Sequence, residues 1–174
     1  MNSEELKTII RNIPDFPVKG IQFKDITPLL KDPEAFKYVV NNIKEHFISK
    51  DIKYIAGIEA RGFIFGGMLA YEMGVGFIPI RKKGKLPYKT VSITYSLEYG
   101  ESSLEVHEDA LEKGDKVLIV DDLLATGGTT KATYELLNKI GGDVVGAAFI
   151  IELTDLKGRE KVPCEVYSIL KYNI

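Results

Sequence analysis

The chain has 174 residues, of which 45% are hydrophobic and 28% charged, with a formal net charge of -2. That is the make-up of a globular protein with enough chain for a hydrophobic core, and its acidic balance argues against non-specific nucleic-acid binding, which needs a basic surface. The single cysteine, Cys164, rules out an internal disulfide, the polar opening Met1 to Glu5 is unlike a signal peptide, and no apolar run nears the roughly 20 residues of a membrane span, so one cytoplasmic domain over 1–174 is expected.

Ser3 to Arg11 is predicted as a short helix with Leu6, Ile9, Ile10 and Ile13 on one face, stopped by Pro14 and Pro17. A second helix starts at the N-cap Asp32, with Pro33 at its first position, and buries Phe36, Val39, Val40, Ile43 and Phe47. From Tyr54 onward, short apolar runs alternate with helical stretches. Tyr54 to Ile58, Gly76 to Ile80, Lys116 to Val120 and Val144 to Ile151 are predicted strands, and Gly62 to Met73 and Gly128 to Ile140 are predicted helices. Thr90 to Tyr95 and Ser103 to Val106 form an antiparallel ribbon around Tyr99-Gly100, and Val166 to Leu170 is a last edge strand. Strand–helix alternation implies an α/β fold, a mainly parallel sheet flanked by helices, whose ligands bind beyond the carboxyl ends of the strands.

The richest chemistry follows such a strand. Val117 to Val120 run into Asp121-Asp122-Leu123-Leu124-Ala125-Thr126-Gly127-Gly128-Thr129-Thr130. The turn from Ala125 to Thr129 has the parts of a phosphate cradle: glycines that let backbone N–H groups converge, threonine hydroxyls, and the positive end of a helix. Two carboxylates would repel a phosphate, but they suit sugar hydroxyls or a magnesium shell. The strip therefore fits a ribose diol and its 5′-phosphate. A helix merely capped by Thr126 would explain neither the paired acids nor the double glycine. No P-loop pattern is present, and Gly74-Val75-Gly76 precedes a strand, as a helix C-cap and turn would.

Glu59-Ala60-Arg61-Gly62 also sits between a strand and a helix, where an arginine can make paired hydrogen bonds to phosphate. Arg81, Lys82, Lys83 and Lys85 form a basic run after the next strand, suited to pyrophosphate or simply to solvent. His46 and His107 are isolated, so no zinc site is expected. His46 is expected to be structural, and Tyr71, Tyr134 and Tyr167 core-edge residues.

The strip Val117 to Thr130 resembles the phosphoribosyl-pyrophosphate signature of the type I phosphoribosyltransferases, in the form found in those that act on adenine. The resemblance continues through Phe16 to Gly20, Phe23 to Leu29, Glu59 to Phe63, Ile80 to Pro87, Tyr95 to Gly100 and Glu152 to Arg159, in the same order and spacing. It implies the type I phosphoribosyltransferase fold with a small hood or flap over about 81–108 and a base-binding segment at 14–30. The implied reaction transfers the phosphoribosyl group of 5-phosphoribosyl-1-pyrophosphate (PRPP) to adenine, with Mg²⁺ held by substrate oxygens and without a direct protein ligand. It also implies the site roles. Asp121 and Asp122 hold the ribose, and Ala125, Thr126, Gly127, Gly128 and Thr129 the 5′-phosphate. Ala60, Arg61, Arg81 and Lys85 hold pyrophosphate, with Arg81 acting in its own or a neighbouring subunit's site. Phe23, Lys24 and Leu123 surround adenine, whose identity is read largely by main-chain groups near Ile21 to Lys24. Glu98 handles the proton, Tyr99 belongs to the flap, and the enzyme is a homodimer. Lysine at position 24 departs from the arginine common in the family. Two alternatives keep the same motifs: a transferase for another purine, and a PRPP-sensing regulator without catalysis, which would need a nucleic-acid surface or an added domain.

Overall fold

The computed structural model describes residues 1–97 and 100–173. Helix α1, Ser3–Ile9, begins with a capping box in which Asn2 and Glu5 satisfy each other's backbone N–H groups. It ends earlier than the sequence pattern suggested. Ile13 lies in strand β1, Arg11–Pro14, which pairs antiparallel with β2, Gln22–Asp25, in a separate two-stranded sheet. The apolar spacing from Leu6 to Ile13 continues across this change, so periodicity alone could not mark it. A short helix α2, Thr27–Lys31, follows. Helix α3, Pro33–Phe47, has the expected cap: the Asp32 side chain accepts from the Glu34 and Ala35 N–H groups.

The main sheet contains β3 (Tyr54–Ile58), β4 (Gly76–Lys82), β5 (Thr90–Leu97), β6 (Gly100–His107), β7 (Lys116–Leu124), β8 (Asp143–Leu153) and β9 (Val166–Tyr172). Its order is β5-β6-β4-β3-β7-β8-β9. Strands β4, β3, β7, β8 and β9 run parallel, and β5 and β6 form an antiparallel ribbon at the β4 edge. Helices α4, Arg61–Met73, and α5, Gly128–Lys139, complete the crossovers. Gly74 ends α4 in the left-handed conformation at φ 66°, the turn expected for Gly74-Val75-Gly76.

Each face of the sheet carries its own apolar cluster. One gathers Leu29, Ile43, Phe47, Phe65, Leu118 and Ile150 beneath α3 and α4, and the other gathers Ile80, Val106, Ile119, Leu136 and Phe149 beneath α5. Strands covered on both sides read as near-continuous apolar runs, which is why β7 and β8 were legible as strands. His46 is structural as expected, with Nε2 2.7 Å from Glu165 Oε1 and the ring stacked on Tyr167 at 3.8 Å. Tyr71 departs from expectation: it is 79% exposed on α4 and does not edge the core. Cys164 is partly enclosed, and burial pushes its thiol up to about 11. Among the described residues, no helix is long and apolar enough to cross a membrane.

Candidate active site

The carboxyl ends of β3, β4, β7 and β8 lie along one edge of the sheet. The chain leaves β3 for β4 on one side and later returns to β7 on the other, so a crevice opens between the ends of β3 and β7. Arg61, the first residue of α4, bridges it: its Nε donates to Asp122 Oδ2 at 2.5 Å. Asp122 is buried while the guanidinium is half exposed, so the charge stays available at the wall of the crevice. The neighbouring Gly62 allows this approach. A Cβ there would stand 2.7 Å from the Val120 carbonyl oxygen and 3.0 Å from Asp121 Oδ1.

Asp121 is the most perturbed acid of the site. Burial, and then the charge of Asp122, push its carboxyl well above the usual aspartate range, while the Asp122 N–H donates to its Oδ1 at 2.9 Å. The loop beyond β7 encloses a cavity of about 100 Å³ lined by Asp121 and by Leu123 to Thr130. Gly127, at φ 82°, is the N-cap of α5, so the helix is not capped by Thr126. The 12-residue helix α5 begins at this small space, so its positive dipole end and the uncapped N–H groups of its first turn lie there.

The loop's backbone rests on a second turn. A Cβ on Gly127 would strike the Gly158 carbonyl, and a Cβ on Gly158 would strike the Ala125 carbonyl. On its other flank, the Tyr95 hydroxyl of the ribbon lies 3.1 Å from Thr129 Oγ1.

Strand β4 runs two residues past its predicted end, so the basic run begins inside it at Arg81 and Lys82 and continues to Lys85, braced by two carboxylates. Glu59 Oε1 accepts from the Lys82 N–H at 2.5 Å and lies 3.5 Å from Arg81 Nε. Buried Glu105 accepts from the Gly84 N–H at 3.1 Å. Arg81 Nη1 donates to the Lys85 carbonyl at 3.2 Å, and Lys82, Lys83 and Lys85 are exposed.

A larger cavity of about 500 Å³ adjoins Arg61 and is lined by Ile13, Phe16, Phe23, Lys24, Asp25, Ile26, Thr27 and Leu30. Its rings are set edge to face, Phe16 to Phe23 at 5.2 Å. Lys24 turns its amine elsewhere, donating to Asn12 Oδ1 at 2.8 Å and lying 4.7 Å from the centre of the Tyr172 ring. Asp25 accepts from the Thr27 N–H and hydroxyl, which holds its carboxyl below the usual range. A depression of similar size, about 530 Å³, lies among Lys53, Gly74, Asp115 and Lys116 at the amino ends of the strands, away from these groups.

The structure thus brings Arg61, Asp121, Asp122 and Ala125 to Thr129 to one crevice, with Phe23 and Lys24 in the cavity beside it. Leu123 lines the smaller cavity and not the one that holds Phe23. Glu98 and Tyr99 lie outside the described residues. Phe16 lay within the expected base-binding segment 14–30, but sequence reasoning gave no role to Ile13 in the cavity wall, to Glu59 and Glu105 beneath the basic run, or to Gly158 against the loop. Gly158 lay within a string that carried the family resemblance, which was the one signal available for it.

Residues 28–173 match the phosphoribosyl transferase domain family. The adenine phosphoribosyltransferase of Halothermothrix orenii is 58% identical over 168 residues, 96% of this chain and 99% of that protein. The crystal structure of adenine phosphoribosyltransferase from Thermoanaerobacter pseudethanolicus superposes with a TM-score of 0.95 at 52% identity, covering 98% of this chain and 100% of the other. The Saccharomyces cerevisiae enzyme, solved with an imino-altritol bisphosphate and adenine, gives a TM-score of 0.92 at 40% identity, with 97% and 98% covered.

Proposed function

The chain belongs to the phosphoribosyltransferase family, and from that premise we infer that it serves purine salvage, transferring the phosphoribosyl group of PRPP to adenine to give AMP and pyrophosphate. The observation that carries this reading is the pairing of a phosphate-sized loop and two acids with an apolar, aromatic-walled cavity across Arg61. That arrangement matches a ligand with a phosphorylated sugar at one end and a flat base at the other. Adenine is also the base bound in the yeast structure.

Each group has a physical task. The ribose 5′-phosphate sits in the Ala125–Thr129 loop, stabilised by backbone N–H groups, the Thr126 and Thr129 hydroxyls and the α5 dipole. Asp121 and Asp122 accept hydrogen bonds from the ribose diol. Ala60, Arg61, Arg81 and Lys85 receive the pyrophosphate, on which charge builds as the anomeric bond breaks. Adenine stacks on Phe23 beside Lys24, with its edge read by main-chain groups, while Leu123 stays on the loop side of the crevice. Glu98 takes up or relays the proton that the purine loses, and the flap containing Tyr99 excludes water from an oxocarbenium-like transition state. Most of the acceleration comes from holding the two substrates in line.

Among the described residues, no group of three or more His, Cys, Asp or Glu side chains is placed to hold a metal. The donor set fits a Mg²⁺ ion carried by pyrophosphate and ribose oxygens, with Asp121 and Asp122 beside it. Bound there, it would neutralise charge on the leaving group. We assign the enzyme to the cytoplasm, where its phosphorylated substrates are. We also assign it a homodimeric state, supported by the apolar surface of Ile64, Met68, Tyr71 and Phe77, which are 39%, 40%, 79% and 36% exposed.

The test is nucleotide formation with Mg²⁺ and PRPP, offering adenine, hypoxanthine, guanine, xanthine and orotate separately. AMP with the other bases poor is the expected result. A different preferred base would overturn the adenine assignment, and no product despite PRPP binding would favour a regulator. In the same assay Glu98→Gln should lower turnover far more than it weakens PRPP binding, and unchanged turnover would remove Glu98 from the mechanism.

A further inference from the structure

The phosphate loop does not hold its shape alone. Its backbone at Ala125 and Gly127 is seated on the backbone of Gly158 so closely that neither glycine of the contact could carry a Cβ. The loop and Gly158 are therefore packed backbone to backbone, and the residue after Gly158 is tied to the sheet. Arg159 makes a two-pronged hydrogen bond to Glu152, Nε to Oε1 at 2.8 Å and Nη2 to Oε2 at 2.7 Å. Its third nitrogen, Nη1, donates to the Val166 carbonyl at 3.2 Å. The planar guanidinium thus fixes the turn against both β8 and β9.

Glu152 is placed to transmit this. It is 4% exposed and pairs across the ladder with Leu124, the last residue of β7 before the loop. The Arg159 hydrogen bonds hold its carboxyl below the usual glutamate range, so the acid remains charged at working pH. A buried carboxylate held by an arginine is a rigid joint, because parting the two leaves a charge without compensation. The substrate phosphate, the loop, Gly158, Arg159 and Glu152 would then form one continuous chain of contacts.

We propose that the Glu152–Arg159 pair is a positioning device for the 5′-phosphate loop, acting through the Gly158 backbone and determining affinity for the phosphorylated end of PRPP and AMP. Neither residue lines the cavity enclosed by the loop. The inference rests on the assignment of the Ala125–Thr129 loop to the 5′-phosphate.

The experiment compares Arg159→Lys and Glu152→Gln with the parent enzyme. It reads KM for PRPP and for adenine, kcat, inhibition by ribose 5-phosphate and by pyrophosphate, and thermal midpoint. Lysine keeps the charge but loses the two-pronged geometry, and this variant is retained should Glu152→Gln fail to fold. The expected result is a rise of about tenfold or more in KM for PRPP and in the inhibition constant of ribose 5-phosphate. KM for adenine and inhibition by pyrophosphate should stay within about twofold. A merely structural pair would lower the thermal midpoint without separating these constants, and that outcome, or a uniform loss of all of them, overturns the proposal. Thr126→Val, measured beside them, tells two failures apart. If it weakens ribose 5-phosphate inhibition while Arg159→Lys does not, the clamp alone is wrong. If Thr126→Val is also silent, the phosphate assignment falls and the clamp with it.

Discussion

The two cavities beside Arg61 are built on opposite plans. The smaller one is formed by one stretch of chain at the end of a central strand, Asp121 and Leu123 to Thr130, and its loop is wedged against Gly158 with no room for a methyl group. The larger one is assembled outside the main sheet, from a two-stranded ribbon and a five-residue helix, and its aromatic wall includes Phe16, which is 51% exposed. A phosphate has one shape and is recognised by converging backbone dipoles, which demands a rigid loop. A flat base gains most of its energy from a stacking face, which tolerates looser walls. On the proposed assignment, with phosphate in the smaller cavity and base in the larger, the site places stiffness where geometry is demanding and adaptability where area suffices.

The largest effect should come from disturbing the stiff side. Gly127→Ala forces a Cβ onto a residue at φ 82° and into the Gly158 carbonyl. The left-handed backbone costs about 1–2 kcal/mol, and overpacking adds roughly 1–3 kcal/mol. If the whole of that strain, about 2–5 kcal/mol, falls on the substrate-bound loop, it corresponds to a loss of about 1.5 to 3.7 orders of magnitude in kcat/KM for PRPP. Steady-state kinetics with varied PRPP would check this, and a loss under about fivefold would show that the loop yields easily.

This division also governs how much could be read in advance. The helix caps at Asp32 and Gly74, the parallel strands and the glycine-rich turn between β7 and α5 were legible because each is encoded over a few adjacent residues. The β1–β2 ribbon was not, because Ile13 keeps the helical spacing begun at Leu6 and only the partner strand across the turn makes it a strand. Glu59 and Glu105 were missed for a related reason. Each is an isolated acid in sequence, and their shared task beneath the basic run exists only once β3, β4 and β6 are side by side. Gly158 likewise acquires its role only from contact with a segment some thirty residues away.

A smaller effect, with two signs, is expected at Asp121. Its carboxyl is pushed up by burial and by Asp122. An acid with a folded-state value above its unfolded one lowers stability as pH rises through that interval, and costs nothing below the unfolded value of about 3.9. Asp121→Asn should therefore raise the thermal midpoint, more at pH 7.5 than at pH 5. If Asp121 accepts from the ribose diol as proposed, the same change also removes a charged acceptor, a hydrogen bond of about 1.5–3 kcal/mol, so KM for PRPP should rise about 10–100-fold. Melting curves at the two pH values, set beside PRPP kinetics, separate the effects. A lower midpoint at pH 7.5 would mean that Asp121 stabilises the empty site.

The smallest effect should come from Lys24, and it tests the looser side. Its amine is engaged by Asn12 and lies over the Tyr172 ring, so the side chain ties the β1–β2 ribbon to the last strand and does not reach for the base. Losing an exposed cation–aromatic contact costs about 0.5–1 kcal/mol. Lys24→Met should then change KM for adenine by about two- to fivefold and leave KM for PRPP unmoved. Phe23→Ala, which removes a stacking face of about 1–3 kcal/mol, should raise KM for adenine by more than Lys24→Met does. The order of the two variants decides how the base is held. If Lys24→Met proves the worse, the lysine side chain contacts adenine directly, and the wall of the base cavity is as exacting as the phosphate loop.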